Sequence, residues 1–144
     1  MIIRGEANNA SIELSEAEGL AKPGGSESYR VTLRENEFEV SARVYAFDPL
    51  DNGLSKFFAE LAQEWKGWDG SKTWTSLEGE FELKCEHDRI GHVITTATLH
   101  SSPYGHGWTG QIRFDIAAGQ LEDLAAGVKS FFEERKIEAE GLKV

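Results

Sequence analysis

Four histidines, one cysteine, a run of glutamates and four tryptophans are the side chains in this sequence whose chemistry could make a site. His87 and His92 flank Asp88, and His100 and His106 follow. A His-x4-His spacing with a neighbouring aspartate is not a zinc signature. On one strand face, His92 and His100 would stand about 26 Å apart, too far to share an ion. No metal and no cofactor are expected.

Nucleophilic chemistry finds no better footing. Ser101-Ser102 lies beside His100 and His106 but lacks the Gly-x-Ser-x-Gly elbow that presents a catalytic serine. Cys85 falls on an apolar stripe, where burial makes a thiol inert. Gly67, Gly70, Gly105 and Gly107 follow no phosphate-cradling pattern. No catalytic residue is therefore assigned. Two binding constellations remain. Glu78, Glu80, Glu82 and Glu86 recur at even positions and read as an outward acidic row, the candidate partner-binding face. Trp68, Trp74 and Trp108 are the candidate lining of a ligand cleft, with Trp65 assigned to a helix core.

These side chains need elements to hold them. Ala10–Leu14, Tyr29–Leu33 and Phe38–Phe47 alternate apolar with polar residues and read as strands, the last two forming a hairpin. Pro23-Gly24-Gly25 marks residues 18–28 as a loop. After Asp48–Asn52, with Asp51 or Asn52 as N-cap, apolar residues at helical spacing predict a helix over 53–66, stopped by Gly67. Residues 65–74 read as an aromatic-rich connector. Leu77, Phe81, Leu83 and Cys85 then alternate with acidic neighbours, and a second strand runs from Gly91 to His100. A three-residue loop over Asp88–Ile90 would set Cys85 opposite Val93 and Phe81 opposite Ala97. It would also set Glu86 opposite His92 and Glu78 opposite His100. Trp108–Ile116 is a further strand, and Gln120–Glu134 an amphipathic helix followed by a charged, fraying end.

The 144 residues suit one domain, 1–144, of class α+β. The expected architecture is an antiparallel sheet of about six to seven strands with two helices packed on it. A β-sandwich with a C-terminal helix is the alternative. Net charge is −10, with 8 basic and 13 acidic groups in residues 1–72 and 7 and 12 in residues 73–144, so each half carries −5. Such a balance repels phosphate backbones and excludes nucleic acid as the expected partner. It suits a basic protein partner. A lone cysteine and the absence of any long apolar run point to the cytoplasm and away from a membrane partner.

The string Trp65-Lys-Gly-Trp68-Asp-Gly, Trp74-Thr-Ser-Leu-Glu78-Gly-Glu-Phe, His87-Asp88-Arg-Ile-Gly91-His92-Val, Trp108 and Ala118-Gly-Gln-Leu-Glu122 resembles a bacterial domain-of-unknown-function family over about residues 28–133. That resemblance implies a small cytoplasmic bacterial protein and carries no assigned catalytic residue. In size, acidity and its strand-rich body closed by a leucine-rich helix, the chain is also similar to immunity proteins of polymorphic toxin systems. The expectation is a non-catalytic protein-binding module, an immunity-type inhibitor being one form. The alternative is a small-molecule-binding protein or hydrolase using the tryptophan-lined cleft.

Overall fold

The computed structural model describes residues 1–18, 27–46, 53–102 and 104–141. In chain order the elements are β1 (Ile2–Arg4), β2 (Ser11–Glu18), β3 (Glu27–Glu35), β4 (Phe38–Ala46), α1 (Gly53–Gln63), β5 (Ser71–Thr75), β6 (Phe81–His87), β7 (His92–His100), β8 (Thr109–Ala117) and α2 (Leu121–Gly141). A 3-10 turn over Ala118–Gln120 leads into α2. The expected N-cap at residues 51–52 and most of the loop at 18–28 lie outside the described residues.

The α+β class holds, but the single sheet of six to seven strands does not. The strands form two four-stranded antiparallel sheets, ordered β1-β2-β3-β4 and β5-β6-β7-β8. Alternation marks which face of a strand is buried and is silent on which sheet it joins. Short connections keep each set of four paired in sequence order, and α1 separates the sets. Ser71–Thr75, read as connector, is edge strand β5: Thr73, Trp74 and Thr75 are strong strand formers.

The two inner faces and both helices share one core. Residues Leu54, Phe57, Phe58 and Leu61 recur at helical spacing on α1 and are all buried. That helix ends at Gln63, short of the expected 66, because the chain tightens as Gly67 N–H donates to the Glu64 carbonyl (2.9 Å). Trp65 consequently leaves the apolar stripe and is exposed. The second helix runs on to Gly141, past the expected end at Glu134. Its Phe131 and Phe132 close edge-on over Tyr29 of β3, at ring separations of 6.4 and 5.2 Å.

One crossing sets the rest. Phe81, Leu99 and Gly110 lie side by side across β6, β7 and β8. Strand β4 runs across this row: Val40 and Phe38 sit over Gly110, while the Tyr45 N–H reaches Glu80 beside Phe81. A Cβ at position 110 would lie 2.8 Å from Val40 Cγ2, so glycine is what permits the approach. The sheets therefore meet at a steep angle, β4 passing over three strands of the other sheet.

The register of β6 and β7 differs from expectation by two residues. Cys85 pairs with Thr95, Leu83 with Ala97, Phe81 with Leu99 and His87 with Val93. The turn is wider than three residues because the Asp88 carboxylate gathers the N–H groups of Ile90 (2.8 Å) and His92 (2.9 Å), with Arg89 and Gly91 at positive φ. A slip of two keeps every side chain on its face, so the hydrophobic pattern could not detect it. Leu77, expected in the core, lies in the β5–β6 turn and is 64% exposed. Truncating buried Phe81 to alanine should cost about 3–5 kcal/mol. Leu77→Ala should stay within about 0.5 kcal/mol of wild type in the same denaturant titration.

Candidate functional site

The acidic row does not exist as a row. Glu80 is 2% exposed. It lies in the connection ahead of β6, so the strand's pleat does not govern its direction. Its Oε2 accepts the Tyr45 N–H of β4 (2.8 Å) and its Oε1 accepts the Ser76 hydroxyl (2.8 Å). Ser76 Oγ in turn accepts the Phe81 N–H (3.0 Å), and the Glu80 carbonyl accepts the His100 N–H (2.7 Å). Burial raises the pKa of the neighbouring Tyr29 phenol, and the Glu80 charge adds to the rise. Glu78 is exposed in the turn. Only Glu82 and Glu86 stay on the outer strand face, where Lys84 lies between them and pairs with Glu86 at 3.2 Å. Hydrogen bonds from Lys84 and Ser71 and the Lys84 charge hold the Glu86 carboxyl below its usual range.

The histidines find other partners than those expected. His100 Nε2 meets Glu82 (3.0 Å) rather than Glu78. His92 donates from Nδ1 to Asp88 (2.9 Å) and turns Nε2 toward Glu6 (3.4 Å), leaving Glu86 unused. The Asp88 hydrogen bond raises the His92 pKa, with desolvation opposing it and the charges of Asp88, Glu6 and Asp115 assisting. At Asp88 itself, desolvation pushes upward, but the His92 and Ile90 N–H groups and the His92 ring outweigh it. His87 accepts the Arg89 N–H at Nδ1 (2.8 Å) and meets the Trp65 carbonyl through Nε2 (2.7 Å). His106 is exposed in the β7–β8 connection. Among the described residues, no three His, Cys, Asp or Glu side chains are grouped to hold a metal ion.

The three cleft tryptophans are kept apart. Trp68 is 7% exposed, donates Nε1–H to the Cys85 carbonyl (3.2 Å) and stacks edge-on with His87. Half-buried Trp74 packs on Phe81 at 5.6 Å and against the start of α1 at Gly53. Trp108 lies at the other end of the sheet, where its carbonyl accepts the Ser101 N–H. Seven residue steps along β7, from Val93 to His100, separate the Trp68 end from the Trp108 end, about 23 Å. A cleft lined by all three cannot form. Cys85 is buried beside Thr95, and burial pushes its thiol up to about 11, far from a reactive thiolate.

Two features escape a reading of alternation alone. The β5–β6 turn and the β7–β8 connection emerge at one end of the second sheet. There Leu77 (64%), Tyr104 (78%) and Trp108 (39%) are exposed together with Phe38, which reaches Gly110 from β4. Separately, an open depression of about 470 Å³ lies between the β1–β2 connection and β8, lined by Ala7, Asn8, Ile94, Arg113, Phe114 and Asp115. None of the tryptophans borders it. Among the described residues, no helix is long and apolar enough to cross a membrane.

The model of a family of unknown function, DUF6228, matches residues 3–135. No curated protein and no solved structure matches the chain.

The Asp88–His92 pair makes stability depend on pH. A raised folded pKa gives stabilisation that is fully present below the ordinary value of 6.5 and is lost as pH climbs through the folded value. NMR titration should place His92 above 6.5, and Asp88→Asn should bring it down. A His92 titrating below 6.5 in the wild type would contradict the pairing.

Proposed function

The chain thus belongs to DUF6228, a family of unknown function, and we propose that it is a non-catalytic protein-binding module with an acidic surface suited to a basic partner. An immunity-type inhibitor of a basic toxin is the form of this activity that the chain's size and charge support best. The observation that carries the reading is the exposed rim of Leu77, Tyr104, Trp108 and Phe38 at one end of the second sheet. Tryptophan and tyrosine are the side chains over-represented where partner binding energy concentrates. They are held here on two hairpin connections by a rigid sheet, which limits the entropy lost on binding.

Charge complements the rim. Glu78 is adjacent to Leu77 in the turn, and Glu37 precedes Phe38 in the β3–β4 turn. Glu82 pairs across strands with Thr75, two residues before Leu77, and meets His100. Charges placed around an apolar centre mainly speed encounter and select the partner's sign, while the apolar centre holds the complex. In this reading Glu78 and Glu82 keep a partner-binding role, and Glu80 is withdrawn from it by burial.

The test combines affinity capture from the native lysate with binding kinetics on the captured protein. Trp108→Ala with Leu77→Ser should weaken that complex by at least about 2 kcal/mol, chiefly through faster dissociation. Glu78→Gln with Glu82→Gln should slow association and flatten its salt dependence. A captured basic protein held equally tightly by the Trp108/Leu77 variant would remove the rim from the interface.

A further inference from the structure

The outer face of the first sheet concentrates arginine in an otherwise acidic protein. Four of the chain's seven arginines, Arg4, Arg30, Arg34 and Arg43, lie on it. Arg30 and Arg43 are direct cross-strand partners. Counting from the two-residue turn Asn36-Glu37, theirs is a non-hydrogen-bonded pair, the kind in which facing side chains come closest. Like charges directly opposed in this way destabilise a sheet. The guanidinium groups nonetheless reach toward a shared bed of hydroxyls: Arg30 Nη1 donates to Ser41 Oγ (3.1 Å), Arg43 Nη1 to Ser28 Oγ (3.1 Å), and Ser41 contacts Thr32 (3.1 Å).

A strained residue holds this pair. The β2–β3 register breaks between Ser15 and Glu18, and at that bulge Glu16 takes φ of +46°, a left-handed conformation costly for a side-chain-bearing residue. The strain turns Glu16 back over the sheet. Its carboxylate bonds Arg30 and approaches Arg43 Nη2 (3.8 Å), and its carbonyl accepts from Arg43 Nη1 (2.9 Å). Glu18 approaches Arg43 Nη1 at 3.8 Å. Exposed ion pairs contribute little, so they give weak reason to keep a left-handed glutamate. Persistent strain of this kind marks functional positions.

We propose that the Arg30–Arg43 pair, with Ser28 and Ser41, is a binding site for a phosphate monoester, and that Glu16 and Glu18 occupy it as an internal stand-in. Two guanidiniums carry +2, and two carboxylates now balance them. A phosphate monoester supplies nearly −2 in one group near neutral pH, with three acceptor oxygens for the paired forks and hydroxyls. A single carboxylate supplies half that charge. The site is separate from the apolar rim, so either reading can fail alone.

Calorimetry with inorganic phosphate at fixed ionic strength tests the assignment. Glu16→Gln with Glu18→Gln should bind phosphate at least about tenfold more tightly than wild type, because the stand-in carboxylates are gone. Glu13→Gln with Glu39→Gln removes the same charge around Arg34 and should give no such gain. Adding Arg30→Lys to the first variant keeps the charge, loses the fork and should cancel most of the gain. O-phosphoserine and a phosphoserine peptide then separate the sources: equal affinity names a small phosphorylated molecule, and tighter peptide binding names a phosphorylated protein. Equal gains from both glutamate pairs would reduce the effect to diffuse charge and overturn the proposal. So would retention of the gain with Arg30→Lys, or acetate binding as tightly as phosphate.

Discussion

The contact on which this fold turns is the buried Glu80 carboxylate. Its two oxygens join parts of the chain that no strand pairing connects: the outward N–H of Tyr45 on edge strand β4, and the Ser76 hydroxyl in the β5–β6 turn. A buried carboxylate is costly to desolvate and persists only where hydrogen bonds satisfy it. Here both oxygens are engaged, and Ser76 passes the constraint to the Phe81 N–H at the head of β6. The arrangement also removes a hazard. An edge strand with an open N–H is a template for unwanted pairing, and Glu80 takes the Tyr45 donor out of play.

From that tie the crossing of the sheets follows. With β4 anchored near Phe81 at one end, the Val40 and Phe38 side chains fall over Gly110 at the other, and the glycine leaves room for them. The β1–β2 connection joins the sheets a second time, the Glu6 N–H donating to the Asp115 carbonyl at 2.9 Å. Two sheets linked at separate places enclose a core that neither could close alone. The helices complete it, with Phe131 and Phe132 packed on Tyr29. Tyr29 stays a neutral phenol there, because burial and the Glu80 charge both oppose its ionisation.

Much of this was legible from alternation and some of it could not be. Phe81, Leu83, Cys85, Val93, Leu99 and Phe114 are buried as the pattern requires, since a pleat carries side chains to fixed faces. The same period-two rule is blind to a slip of two, so pairing Cys85 with Val93 instead of Thr95 left every face correct. Glu80 shows where the rule ends. It shares parity with Glu82 yet belongs to a turn, and what decides its direction is a β4 donor 35 residues away in sequence. Trp65 and Trp68 divide for a similar reason. One is released when α1 ends early, and the other is drawn inward by the Cys85 carbonyl. The arginine face went unseen because Arg30 and Arg43 become neighbours only once β3 and β4 are paired and β2 bulges beside them.

Net charge is the least local property of the sequence, and the structure shows how little it says about any one surface. Five ion pairs on the outer face of the first sheet set Arg30, Arg34 and Arg43 against Glu13, Glu16, Glu18 and Glu39, so local charges there nearly cancel. On the second sheet, Lys84 and Arg113 sit among Glu82, Glu86 and Asp115. Neither sheet face is therefore the broad acidic field that −10 over 144 residues suggests. The excess resides in turns and on helix surfaces, including Glu37, Glu78, Glu122 and Asp123, where side chains stand clear of a sheet and its cross-strand partners. Turns are also where the exposed apolar residues Leu77 and Tyr104 stand. A sheet face spends its charges on its own cross-strand neighbours, whereas a turn leaves both charge and apolar surface unclaimed. Under the proposed protein-binding reading, a protein partner would therefore meet the ends of the sheets, at positions that Glu80 and the β4 crossing hold in place.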